Sequence, residues 1–404
     1  MMKVDESSAR LVKLRLPRTA IMFATVSLLN EISAQMVAPL IPILIATVLA
    51  AGPVALGVVE GIADAVAAFL KLWSGRHADL RPDKRKAMVL LGYGLALVAR
   101  PLIGLAGHWG IVVALRSADR LGKGLREAPR DAILADVTPA AQRGAAYGLN
   151  RGMDYAGAVL GTLIAAAALA WWGIGIPQVI LLSAVPGVAV FVMLALAPNP
   201  ISHRQLAIQA VANAPLEWQR LSSSLRGFLK VLALFCFARA SEAFIVLRGH
   251  ELGMTTVTLL LIWAWLAALQ TLTALIGAPL TDQISKRQLT LLNWASLVLG
   301  YAALAWASDS TSLWIAVSVY ALLSGISEGI ERSLVSELAG PGEKGTAFGW
   351  YYMISGLASI PAGILFGVVW KTAGAAAAFG MTSLIALLSA AWLQSVFRRT
   401  SKPT

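Results

Sequence analysis

The 404-residue chain is 58% hydrophobic and only 13% charged, with a mean hydropathy of +0.72. Soluble globular chains run nearer about 45–50% apolar and about 25% charged, so a soluble domain is excluded. The net charge of +12 does not mark a nucleic-acid binder, because the basic residues gather in alternate loops between apolar runs, which is a signal of membrane topology.

Apolar runs of about 20 residues recur along almost the whole chain, each long enough to cross a hydrocarbon core of roughly 30 Å. They predict an all-α integral membrane protein with twelve spans: 20–49, 55–75, 87–107, 109–130, 144–172, 176–197, 228–248, 256–281, 288–307, 312–333, 346–370 and 373–397. The first run is too long for the core of a cleaved signal peptide, and no small-residue cleavage site follows it. Basic residues precede span one (Lys3, Arg10, Lys13, Arg15, Arg18), follow span two (Arg76, Arg81, Lys84, Arg85, Lys86) and follow span twelve (Arg398, Arg399, Lys402). The loops near 51–54, 107–109, 173–176 and 308–311 hold essentially none. This bias places both termini in the cytoplasm. Trp109, Trp171, Trp172, Trp306, Trp314 and Trp370 fall where an outer interfacial belt would need them. The polar stretch 198–227 reads as a central cytoplasmic linker between an N-terminal six-helix bundle (1–197) and a C-terminal one (228–404).

The chain also repeats itself. Segment 135–148 reads ADVTPAAQRGAAYG and segment 336–349 reads SELAGPGEKGTAFG, pairing without a gap. Asp136 meets Glu337, Arg143 meets Lys344, Gly144 meets Gly345 and Tyr147 meets Phe348, at an offset of 201 residues. Repetition of this kind reports duplication. The two segments follow spans four and ten on the same side, and six crossings is an even number. The halves are therefore parallel repeats related by an axis along the membrane normal, with a solute site expected between them near the midplane.

Several motifs resemble the major facilitator superfamily over essentially all twelve spans. After span two the chain reads GRHADLRPDKRK (Gly75 to Lys86), similar to that family's glycine–aspartate–basic loop; a weaker copy after span eight reads APLTDQISKR (Ala278 to Arg287). Small residues there let helices approach closely. The resemblance implies that Gly75, Asp79 and Arg85, with Asp282 and Arg287 as the second copy, latch a cytoplasmic gate; topogenic charge without gating is the alternative. Aligning Asp136 with the family's loop aspartate puts Arg116 on its membrane-embedded arginine, which implies a role in proton coupling or charge balance. GAVLGT (Gly157 to Thr162) resembles the family's antiporter motif, with Thr162 where proline is expected. DRLGKGLREAPRD followed by GLNRGMD is similar to a bacterial branch usually labelled drug or metabolite efflux. The implied fold is the major facilitator fold, and the implied place is a bacterial inner (plasma) membrane.

Ionisable side chains at membrane depth are expensive and tend to line a cavity or a proton path. At about 1.5 Å per residue, Glu31 lies about 18 Å from the cytoplasmic end of span one, and Asp64 falls near the midplane. Asp119 and Asp154 lie roughly 15 Å into spans four and five. Arg116, Asp119, Arg120, Lys123 and Arg126 recur at three and four residues, forming one stripe on a helix. Glu60 with Asp64, Arg151 with Asp154, and Arg239 with Glu242 have the same spacing. Most of these charges are expected to neutralise one another, leaving one carboxylate free to titrate. Candidates for proton coupling are Glu31, Asp64, Arg116, Asp119 and Asp154, with Glu31 foremost. Candidates for substrate contact are Asn30, Gln35, Glu60, Arg100, Arg120, Arg151, Glu242, Glu328 and Tyr351. Glu331 and Arg332 read as gate or topology.

Cys236 is the only cysteine, and the four histidines are scattered without ligand spacing, so neither a disulfide framework nor a metal site is expected. No phosphate-binding loop of the G-x-x-x-x-G-K type occurs, which argues against ATP drive within this chain. The expected function is secondary active transport of a small organic solute, by proton-coupled efflux. Proton-coupled uptake or facilitated diffusion is the alternative within transport, and a membrane-embedded enzyme or sensor is the alternative outside it. The expected partners are the lipid bilayer and the solute, with protons as the coupling ion, no other cofactor, no nucleic acid, and a monomeric chain. Arg100, Arg116, Arg120 and Arg151 suit an anionic solute, but nearby acids would also suit a cation.

Overall fold

The computed structural model describes residues 16–80, 82–139, 142–197, 217–277, 284–325, 330–340 and 344–400. Among them every regular element is helical. Span one comprises α1 (Arg18–Gln35), α2 (Leu40–Ile43) and a π-helical turn (Leu44–Val48). Spans two to five are α3 (Pro53–Leu80), α4 (Arg85–Ile103), α5 (Trp109–Val137) and α6 (Arg143–Trp172); α7 (Ile176–Leu182) and α8 (Ala184–Leu196) make span six. In the second half α9 (Ser223–Phe235) and α10 (Ala243–Glu251) make span seven, followed by α11 (Thr256–Gly277) and α12 (Lys286–Trp306). Span ten is described as α13 (Ser310–Ser324) and α14 (Ile330–Leu338), and α15 (Lys344–Thr400) carries spans eleven and twelve. Gly374, at φ 87°, divides α15 into two arms. The expected linker 198–227 lies outside the described residues as far as 216.

The duplication is visible in where helices begin. α4 and α12 start at 85 and 286, α5 and α13 at 109 and 310, α6 and α15 at 143 and 344, each pair 201 residues apart. Caps explain some of these starts. His108 accepts the Gly110 N–H at 3.0 Å ahead of α5, and Asp309 accepts the Ser312 N–H at 2.9 Å in a capping box ahead of α13.

Spans one and seven, read as continuous, are interrupted. Pro39 and Pro42 lack the N–H that an unbroken helix needs, and span one turns at 36–39 before its π segment. Span seven leaves helical geometry between Cys236 and Glu242, passing through a 3-10 turn and a non-helical Arg239. Arg239 and Glu242, expected as neighbours on one helix, are thus separated by this break: Arg239 bonds Glu331 and Glu242 accepts from Gln270. Irregular backbone at this depth is tolerated where it faces a cavity rather than lipid.

The halves are sealed against each other at the end bearing residues 49–53, opposite the chain termini. α3 and the first arm of α15 run in contact from Pro53 and Gly367 to Ala68 and Gly356. A Cβ placed on Gly57 would run into the Gly363 carbonyl oxygen, and one on Gly363 into the Gly57 carbonyl, so only glycine permits this approach. Ser359 Oγ donates to Gly61 O across the same seam at 2.9 Å. Beside it, Leu40, Ile41, Leu44 and Ile45 share one buried apolar cluster with Phe244, Phe366 and Trp370, and Trp370 Nε1 donates to Glu251 at 2.7 Å.

Candidate functional site

Between the halves, on the terminus side of this seal, lies a cavity of about 890 Å3. Its N-terminal wall is α5, a helix carrying nine charged side chains. Because three- and four-residue spacing keeps side chains on one helix face, Arg116, Asp119, Arg120, Lys123, Arg126, Glu127, Arg130 and Asp131 all reach the cavity lining.

Most of these charges are paired, although often with a helix other than the one expected. Arg100 Nε of α4 donates to Asp119 at 2.7 Å, and its other nitrogen donates to the Asn30 carbonyl and Oδ1 at 3.1 and 3.0 Å. Asp119 thus has Arg100 as its principal partner, with Arg116 at 3.7 Å. Asn30 and Arg100, predicted to contact substrate, line the cavity and also tie α1, α4 and α5 together. Arg116 lies 3.3 Å from Glu60 of α3, so Glu60 is likewise engaged. Glu127 holds both Lys71 and Lys123, at 3.0 and 3.6 Å. Arg126 sits over the Tyr93 ring and donates to Gly92 O, while Arg130 donates to Asp131 and Ser27.

Asp119→Asn should destabilise the fold by ~3–5 kcal/mol, because it leaves two buried guanidinium groups without their shared carboxylate. Thermal unfolding in detergent measures this. A near-normal melt would show that the pair is not part of the framework.

Glu31 differs from these acids. It is half-buried in the cavity wall, and among the described residues it has no cation within 4 Å. Gln35 Nε2 donates to Glu31 Oε1 at 2.9 Å, and Gln35 Oε1 accepts the Trp263 indole N–H of α11 at 3.0 Å. One amide thus joins a carboxylate of the first half to an indole of the second. Asp154 also lines the cavity, with Arg151 placed over Tyr155 at 4.9 Å. Asp64 instead faces a second, smaller cavity.

The C-terminal wall is richer than its sequence suggested. Glu331, read as interfacial, is buried and takes hydrogen bonds from Arg239, from Trp294 Nε1 at 3.0 Å and from Tyr351 OH at 3.1 Å. Gln270 joins Glu242 and Ser324 at 2.7 and 3.0 Å, with Tyr301 and Tyr320 nearby in the lining. Trp263, Gln270 and Glu331 were missed as site residues. The lone amide of Gln270 inside an apolar run was the available signal.

Of the predicted gate, Gly75 and Asp79 lie on α3, but their side chains, like all of Asp282 and Glu328, fall outside the described residues. Arg85 pairs with Asp136 of its own half at 2.7 Å, and Arg287 stacks on Phe397 at 5.5 Å. The described ion pair of Arg85 thus joins α4 to the end of α5 rather than joining the halves.

The chain is 29% identical over 356 residues to an uncharacterized MFS-type transporter of Methanocaldococcus jannaschii, covering 85% of this chain and 86% of that one. An uncharacterized protein of Mycobacterium tuberculosis is 27% identical, covering 87% and 86%. Among solved structures, the nucleoside transporter NupG superposes with a TM-score of 0.76 at 12% identity, covering 94% and 99%. The inward-facing bacterial homolog of the human lysosomal transporter Spinster gives 0.70 at 14%, covering 94% and 96%; both likenesses concern the fold alone. Residues 23–363 match the family model of the Major Facilitator Superfamily. A duplicated chain, helical throughout its described residues around a central, charge-lined cavity and matched over that length, belongs to the major facilitator superfamily of membrane transporters.

Proposed function

We propose that the protein is a secondary active transporter of the bacterial inner membrane that exports a small organic solute in exchange for protons. The observation that carries this reading is Glu31: a cavity carboxylate that has no ion-pair partner among the described residues, linked through Gln35 to Trp263 of the opposite half. A proton carrier must be able to lose and regain its charge during the cycle, which a carboxylate clamped between arginines does not do readily. With both termini in the cytoplasm, as the loop charges argue, the glycine seam closes the outer face and the cavity is the cytoplasm-facing state of alternating access.

The test uses the full chain in proteoliposomes. A thermal-stabilisation screen of metabolites and drugs first supplies a ligand, since a specific ligand stabilises the state it binds. Adding that ligand should then move protons in the direction opposite to the solute, and an imposed pH gradient should concentrate the solute. Equilibration of the solute without proton movement would establish facilitated diffusion instead, and co-movement in one direction would establish symport.

A further inference from the structure

The larger cavity meets a smaller one of about 300 Å3, bounded by α3, the break between α9 and α10, and the first arm of α15. Apart from Ala240, the side chains that line both are Lys71, Arg120, Lys123, Arg239, Tyr351 and Tyr352. Among the described residues the junction therefore presents four cations and two phenols, and no carboxylate. Lys71, Arg120 and Lys123 come from the first half, and Arg239 and both tyrosines come from the second.

Three of these cations already have partial compensation. Lys71 and Lys123 divide the single charge of Glu127, and Arg239 is bonded to Glu331, which also takes Trp294 and Tyr351. Arg120 is different. Among the described residues it makes no hydrogen bond and no ion pair within 4 Å, and its Nε is buried without a partner. Asp64 and Glu60, which line the smaller cavity, and Asp119 and Glu31, which line the larger, act on it electrostatically without bonding it. Glu60 is already held by Arg116. A guanidinium left with unused donors in a cavity wall is suited to a planar or tetrahedral oxyanion, which it can grip through two N–H groups at once.

We infer that the junction binds the carboxylate or phosphate of an organic anion, held by Arg120 from one half and Arg239 from the other. The apolar part of such a solute has aromatic surface on both sides: Phe244 and Phe366 in the smaller cavity, Phe235 and Trp263 in the larger. An anion shared by both halves also ties ligand binding to their relative position. This names the solute class of the transport reading above and rests on it only for the solute's being moved; the binding itself requires neither a gradient nor a direction.

The experiment is thermal unfolding of the full chain in detergent with four probes of similar skeleton: hydrocinnamate, phenyl phosphate, phenethylamine and phenethyl alcohol. One or both anions should raise Tm in a saturable manner, and the stronger of the two reports whether carboxylate or phosphate fits better. The amine and the alcohol should not. Arg120→Gln should weaken anion binding about tenfold or more, the scale of one lost charged hydrogen bond, while Arg120→Lys should retain part of it. Asp64→Asn, by removing a competing charge, should tighten anion binding several-fold. Stabilisation by the amine, no shift from either anion, or unchanged affinity in a well-folded Arg120→Gln would each overturn the assignment. Those outcomes would leave the proton-exchange reading standing, and absence of proton flux in vesicles would leave the anion site standing.

Discussion

Glu31→Gln should reduce ligand-dependent proton flux in proteoliposomes at least tenfold, toward the empty-vesicle background, while counterflow exchange of solute stays within a few-fold of wild type. The reason is the orientation of one amide. An ionised Glu31 accepts from Gln35 Nε2, which turns the Gln35 oxygen toward Trp263. Hydrogen bonds to a charged acceptor are roughly twice as strong as neutral ones, so a proton on Glu31 weakens the bond that fixes this amide and with it the tie across the halves. Arg120 and Lys123 of α5 and Asp154 of α6 act on the same carboxylate, so its protonation changes the balance of the whole wall. Glutamine has nearly the shape of glutamate and can still accept from Gln35, but it carries no titratable proton. Exchange, which needs no net proton movement, therefore survives. If the variant keeps the wild-type pH dependence of transport, Glu31 is not the carrier, and Asp64 becomes the next residue to test.

Gly57→Val should open the seal at the end bearing residues 49–53 and reduce transport to roughly a tenth or less. Gly57 and Gly363 meet backbone to backbone, and packed interiors do not absorb added side-chain atoms without moving the backbone. Relief requires α3 and α15 to separate, which also parts Ser359 from Gly61 O and exposes the apolar cluster beside them. A reporter is available because Cys236, the only cysteine, is buried. With Ile41→Cys in a Cys236→Ser background, an impermeant maleimide added at that face should label the Gly57→Val protein many times faster than its parent. Equal labelling together with wild-type transport would show that the seam tolerates the extra methyl groups and does not set the closed state.

The sequence disclosed the fold through signals that are local or periodic. Apolar runs placed the spans, and a gapless 14-residue repeat, from 135–148 to 336–349, anticipated helix starts that recur 201 residues apart. The three-and-four spacing of charges on α5 correctly put them on one face. What spacing could not supply was the neighbour of each helix. Arg100 and Asp119 are 19 residues apart on different helices, and Gln35 and Trp263 are 228 apart, so neither pairing has any mark in the local sequence. The break in span seven was equally hidden, because Arg239, Ser241 and Glu242 contain neither proline nor glycine. Arg239 turns to Glu331 and Glu242 to Gln270, and those contacts exist only once the bundle has packed. The same reasoning explains Glu331, whose depth depends on Trp294 and Tyr351 closing around it.

The charge load of α5 has a consequence for how the chain enters the bilayer. A lone Arg, Lys or Asp at the centre of a helix costs about 2.5–3.5 kcal/mol on insertion scales, and this helix carries nine charged side chains in 29 residues. By itself it would be rejected from lipid. Its acceptance requires that α3 and α4 already stand beside the insertion machinery, offering Glu60 to Arg116 and Arg100 to Asp119. Synthesis order provides this, since both helices emerge first. The buried ion pairs therefore couple the second, third and fourth crossings energetically during assembly as well as in the final structure.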